Sequence, residues 1–199
     1  MYRGSKPKIL PVIIIIVVVA LVIATLVTVG RMMLTGGSSE APSKDTASMQ
    51  DALLNQDPDR SVSWTVRGPI VADEKFRSYQ ITVSPSARTF VTYSGYLDAV
   101  VATKTYDNNL NAYEQFVFAL DKTGIASTRK TDDTDLRGVC ATKGIVYKFE
   151  TLNDREADNT VWSSTCKDSK GTLAADPLKV QALFVNQIVD FKPLFNDIY

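Results

Sequence analysis

Histidine is absent from all 199 residues. That excludes Ser-His-Asp and Cys-His catalysis and every metal site built on imidazole. It also removes the side chain most used as a general base near neutral pH. Cysteine occurs only at Cys140 and Cys166, which is half of a four-ligand zinc site at most. Acidic residues are missing from the first 31 positions, where Arg3, Lys6, Lys8 and Arg31 give a charge of +4. The whole chain holds 22 basic and 22 acidic side chains, so the remainder carries 18 and 22 and is mildly acidic at −4. Nucleic-acid binding depends on neutralising phosphates with Lys and Arg, so nucleic acid is excluded as a partner.

What the chain does hold is a long uncharged run, Ile9 to Val29. As a helix rising 1.5 Å per residue it would reach roughly 31 Å, the thickness of a bilayer's hydrocarbon core. Its many Ile and Val residues disfavour an isolated helix in water, but in lipid the backbone must satisfy itself and helix wins. Pro11 falls in the first turn, where a missing N–H costs little. A cleaved secretory signal would have an apolar region of about 7–15 residues ending at a small-x-small site. This run is longer and no Ala-x-Ala closes it. Residues 9–29 are therefore expected to be an uncleaved transmembrane helix with the lipid bilayer as its partner. Arg3, Lys6 and Lys8 precede it, which predicts residues 1–8 as a cytoplasmic stub and the rest of the chain outside the cytoplasmic membrane.

Residues 30–60 are rich in Gly, Ser and Pro around Gly36-Gly37-Ser38-Ser39 and Ala41-Pro42-Ser43, and they read as a flexible tether. Some 25–30 such residues give an excursion of about 30 Å. Within them Ala47–Gln56 has the makings of a short helix. Residues 61–199 are expected to form one extracytoplasmic domain, and 45% apolar against 22% charged residues suffices for a core. Ser61–Arg67 alternates as a half-buried strand, broken by Gly68-Pro69. Phe76–Val83 and Thr89–Tyr93 flank the turn Ser84-Pro85-Ser86-Ala87 as a hairpin. Asp107-Asn108-Asn109 offers caps for a helix with Leu110, Tyr113, Val117 and Leu120 at helical spacing, stopped by Gly124. Val139–Thr151 and Thr160–Thr165 predict two more strands, joined by the polar residues 153–159. Asp176-Pro177 predicts a helix start, Val180, Leu183, Phe184, Ile188 and Phe191 an inward face, and Pro193 its end. The expected fold is α+β in the order β-β-β-α-β-β-α, an antiparallel sheet with two helices on one face.

Cys140 and Cys166 then fall one on each of the later strands, where oxidation outside the cytoplasm would join them. Candidate chemistry is otherwise thin. A calcium loop starting at Asp133 finds Asp135 and Gly138 in place but meets Arg137 at its fifth position and Gly144 at its twelfth, where Glu is needed. Asp107-Asn108-Asn109-Leu110-Asn111-Ala112 puts Ala112 where glycine is required. Ser163, Ser164, Lys167 and Ser169-Lys170 could be drawn as Ser-Lys chemistry, but the partner motifs of that class are missing. No catalytic, metal or cofactor-binding residue and no cofactor is expected. Tyr93-Ser94-Gly95-Tyr96 has the residue types of a binding patch, with Tyr93 and Tyr96 as its contacts. Packing at the core edge is the simpler use of both rings, as it is for the apolar tail after Phe191.

Val66-Arg67-Gly68-Pro69-Ile70-Val71-Ala72-Asp73-Glu74-Lys75-Phe76-Arg77-Ser78-Tyr79 and Val161-Trp162-Ser163-Ser164-Thr165-Cys166 resemble segments of uncharacterised single-pass membrane-anchored envelope proteins of small-genome bacteria. The resemblance extends over most of residues 60–190 and implies an envelope location with no assigned activity. Type IV pilins share the outline of an apolar N-terminal helix, an α+β domain and a late disulfide. They differ where it matters, since no glycine-aromatic processing site precedes the apolar run and no glutamate opens it. The expected function is a binding or accessory module facing an envelope protein or wall polymer. The alternatives are a histidine-free envelope hydrolase or transferase, using carboxylates or a Ser-Lys pair, and a pilin-like structural subunit.

Overall fold

The computed structural model describes residues 48–140, 143–167 and 169–196. The run at 9–29 lies outside them, and among the described residues no helix is long and apolar enough to cross a membrane. Residues 46–199 form one compact unit. Its elements are α1 (Met49–Leu54), β1 (Arg60–Arg67), a 3-10 turn (Asp73–Lys75), β2 (Arg77–Val83), β3 (Ala87–Ser94), β4 (Ala99–Asp107), α2 (Leu110–Asp121), β5 (Val146–Asn153), β6 (Glu156–Ser164), α3 (Pro177–Val185) and α4 (Phe191–Asn196). The six strands make a single antiparallel sheet in the order β4-β3-β2-β1-β5-β6.

The α+β class is as expected, but the element order is not. β4 escaped the sequence because it is exposed on nearly every residue, so no buried face imposes a period on Ala99–Asp107. Folded structure also begins before Ser61. Ser48 caps α1 by accepting from the Asp51 amide, and α1 buries Leu53 completely. The strand expected at Val139 starts only at Val146, and Cys140 lies before it in a turn at φ +61°. The single closing helix is two helices. It stops at Val185, and Asp190 at φ +57° redirects the chain into α4. Pro193 therefore sits inside the first turn of α4, where proline is tolerated, and does not end a helix. In α2 the Asn109 cap is as expected, but Phe116 is buried and Leu110 is not.

One face of the sheet holds the core. Val62, Trp64 and Val66 of β1 lie in register with Val83, Ile81 and Tyr79 of β2, and with Thr151, Phe149 and Tyr147 of β5. All four helices supply side chains to this face: Leu53, then Tyr113, Phe116, Val117 and Leu120, then Val180 and Phe184, then Phe191. Phe191 meets Tyr79 and Phe90 edge-on at 5.6 and 5.5 Å, so the apolar tail packs on the domain at that residue. The opposite face is polar and carries Ser63, Thr65, Gln80, Lys148 and Glu150, linked by hydrogen bonds from Ser63 to Glu150 and from Gln80 to Thr65. Its β5–β6 end is covered. There Trp162 and Val146 lie under the long segment between α2 and β5, together with Cys140, Leu136 and Val139.

A buried cation fixes where α1 meets the sheet. Arg60 is 6% exposed, donates to the Ala52 carbonyl, and pairs with Asp158 at 2.6 Å. Partial burial pushes the Asp158 carboxyl up, but hydrogen bonds from Thr151 and Arg60 and the Arg60 charge outweigh it and hold the pKa below the usual value. A depressed carboxylate pKa stabilises the fold above the usual Asp value of about 3.9, and that contribution is lost as pH falls through the folded value. Asp158→Asn leaves the Arg60 guanidinium without its counter-charge. Chemical denaturation is expected to show a loss of about 2–3 kcal/mol at pH 7, below the fully buried range because Asp158 is partly in water. The gap between wild type and variant should narrow as pH is lowered from 5 towards 2.

Candidate functional site

Where β1 ends, two loops rise from the sheet and leave a cavity of about 250 Å³ between them. It is lined by Arg67, Gly68, Ile70, Phe76 and Tyr96 on one side, by Leu136, Arg137, Gly138 and Val139 on the other, and by Val146. Gly68-Pro69 sends the chain out of β1, and the 3-10 turn returns it to β2 through buried Phe76. This first wall is fastened to the β3–β4 turn. The Asp73 carboxylate accepts from the Tyr96 amide at 2.8 Å, and the Gly95 amide donates to the Phe76 carbonyl at 3.0 Å. A Cβ on Gly95 would stand 3.0 Å from the Asp73 carboxylate oxygens, and its φ of +69° also calls for glycine. The Tyr96 hydroxyl donates to the Val71 carbonyl at 2.6 Å and accepts from the Val71 amide at 2.9 Å. Its ring stacks on Phe76 at 4.3 Å, and the Arg67 guanidinium lies 5.1 Å over the Phe76 ring.

The second wall belongs to the segment between α2 and β5, whose described residues form no helix or strand of their own. It is held at its ends. Thr128 bridges to Leu173 and the Arg129 amide donates to the Thr172 carbonyl. The Trp162 indole donates to the Thr134 carbonyl at 3.1 Å, and the Ser169 hydroxyl donates to Asp133 at 2.6 Å. The Cys140–Cys166 disulfide closes the far end across 26 positions. Gly144 must be glycine here: its φ is +127°, and a Cβ would fall 2.5 Å from the Cys166 sulfur. The two walls touch where the Ile70 amide donates to the Cys140 carbonyl at 3.1 Å.

Charge at the site is uneven. Hydrogen bonds from the Arg137 side chain and amide hold the Asp135 carboxyl down at about 2, and the side-chain hydrogen bond and the Asp135 charge raise Arg137. Both groups are exposed, so this pair shapes the loop surface and adds little stability. Arg67 has no such partner among the described residues and lies over an aromatic ring. Behind the second wall lies a shallower, polar basin lined by Asp133, Lys143, Cys166, Lys167 and Ser169 among others.

The sequence candidates separate on this structure. Cys140 and Cys166 are joined, although neither lies within a strand. Of the tyrosine patch, only Tyr96 lines the cavity. Tyr93 is on the sheet's open face, where it donates to Gln80 at 3.4 Å, and burial followed by the Asp98 charge raises its pKa. The Asp133–Asp135 carboxylates do not converge, one being taken by Ser169 and the other by Arg137. Among the described residues no serine hydroxyl meets a lysine amine. Ser163 is buried, and the Ser164 hydroxyl donates to the Ser169 carbonyl. Arg67, Phe76, Leu136 and Val139 were not singled out from sequence. For Leu136 and Val139 the signal was loop length: residues 122–145 make a connection far beyond the roughly 12–15 residues that structureless loops rarely exceed without a function. Neither a protein-family model nor a curated protein matches this chain.

Reduction of the disulfide tests how the cavity is built. Closing this loop contributes roughly 3.5 kcal/mol on the chain-entropy model. Treatment with a reductant, or the double change Cys140→Ser and Cys166→Ser, is expected to lower stability by about that amount. Hydrogen exchange should quicken at residues 129–145 and 165–171 while β1, β2 and β5 keep their protection. Uniform loss of protection across the sheet would show that the loop is part of the main cooperative unit.

Proposed function

We propose that this chain is a binding module of the cell envelope, anchored by residues 9–29 with its folded domain outside the cytoplasmic membrane. The observation that carries the binding part is the cavity. Apolar and aromatic walls with a few convergent polar groups are the ordinary composition of a ligand pocket, and here Phe76, Ile70, Leu136 and Val139 provide the walls and Arg67 the polar group. The anchor is supported by the uncharged run with its preceding cations. The disulfide supports an oxidising surrounding.

Two arms test this. Ser5→Cys and Ser39→Cys, each introduced alone, are probed in intact cells with a membrane-impermeant maleimide. Labelling is expected at position 39 in intact cells and at position 5 only after lysis. Labelling of position 5 in intact cells, or release of the chain into the medium, would overturn the anchored topology. In the second arm the full chain is used as bait in solubilised envelope, oxidised against reduced and alkylated. A protein or wall polymer retained by the oxidised bait alone is the expected result, and an empty capture counts against a binding module.

A further inference from the structure

The ligand of the cavity can be narrowed from its lining, an inference that rests on the binding reading above. Arg137 is already matched by Asp135, with contacts from the Arg137 Nε and Nη2 to the carboxylate at 2.9 and 2.6 Å. Arg67 lines the same cavity over the Phe76 ring and has no protein acceptor or carboxylate among the described residues. A partly buried arginine whose guanidinium meets no acceptor among the described residues suits a carboxylate, which it takes with two parallel hydrogen bonds. At about 250 Å³ the space falls below the roughly 300–1,000 Å³ of pockets for drug-sized ligands and suits one apolar side chain.

Two further features exclude neighbouring ligand types. No acidic residue among the described ones lines the cavity, so the ammonium of a free amino acid would meet Arg67 there with no carboxylate of the cavity to pair with. The amine of a suitable ligand is therefore acylated. The wall's backbone is also occupied: the Ile70 amide goes to Cys140, and both Val71 groups go to the Tyr96 hydroxyl. An added strand would find no free ladder on this wall, so recognition falls to the end group and one side chain. We infer that the cavity binds the C-terminal residue of a peptide, its carboxylate on Arg67 and its apolar side chain against Phe76, Ile70, Leu136 and Val139.

The test is calorimetric titration of the full oxidised chain in detergent micelles with N-acetyl-L-phenylalanine, its C-terminal amide and free L-phenylalanine. Saturable binding of the acetylated acid is expected, with the amide and the free amino acid weaker by about tenfold or more. Arg67→Gln should weaken the acid about tenfold and leave the amide unchanged, while Arg137→Gln should change the acid by less than roughly threefold. Equal binding of acid and amide by the wild-type chain overturns the inference without recourse to any variant. So does acid binding that Arg67→Gln leaves intact, or the absence of acid binding below about 10 mM. Thermal unfolding of each variant reports that it is folded. The two failures are distinguishable: a correctly inserted chain that captures a partner yet ignores the carboxylate sinks this inference alone.

Discussion

The indole of Trp64 joins the sheet to its helices. It lies on the central strand β1, fully buried, with Ile81 and Phe149 in register on either side. It stacks on Tyr147 at 5.6 Å and on Phe184 of α3 at 5.9 Å. Phe184 in turn meets Phe116 of α2 and Phe149 of β5 edge-on. Four elements, β1, α2, β5 and α3, therefore meet in one aromatic cluster. The indole N–H has no partner among the described residues, which costs about 1–3 kcal/mol. Burying an aromatic surface of about 150–250 Å² at 25 cal/mol per Å² contributes roughly 4–6 kcal/mol. Burial exceeds the lost hydrogen bond, so an unsatisfied donor is stable at this position.

Because the core occupies one face only, the other face is left to polar side chains and to whatever the loops bring. The strands show this directly: Trp64 faces the helices while its neighbours Ser63 and Thr65 face away, hydrogen-bonded to Glu150 and Gln80. A second cluster forms where β5 and β6 turn Val146 and Trp162 outward, but its buried members are only these two and Cys140. So small a cluster cannot offset the ordering of a long loop by itself, since each residue fixed costs roughly 1–2 kcal/mol of backbone entropy. The disulfide and the end contacts at Thr128, Asp133 and Thr134 add further restraint to it. The cavity thus has one wall set by the sheet and one set by a covalent bond. Sites are commonly found on such low-stability segments of a rigid scaffold.

The parts legible in the sequence were those where burial and local chemistry agree. β1 alternates because one face is core and the other is not. The Asn109 and Asp176 caps could be read because their side chains accept from the Ala112 and Leu178 amides within the same turn. β4 could not be read, since exposure removes the period. The break at Asp190 was hidden because a non-glycine residue there takes a positive φ, and Ile188 and Phe191 keep an apparent helical spacing across it. The site was half legible. Tyr96 was visible as a residue type, and the cysteine pair as a compartment signature. Arg67 was not visible, because its meaning comes from Phe76, nine positions on, and from a wall some seventy residues away.

Cys140 links the fold to the cavity. Its sulfur closes the loop, its carbonyl receives the Ile70 amide from the opposite wall, and its side chain helps bury Trp162. Breaking the disulfide would free the Leu136–Val139 wall while leaving Trp64 and the helices in contact, because none of the aromatic stack passes through the second cluster. Fold and site therefore depend on different conditions: the fold on apolar burial, which holds in any compartment, and the cavity on oxidation as well. A domain of this construction keeps a complete cavity only where disulfides persist. The extracytoplasmic placement proposed above would meet that condition.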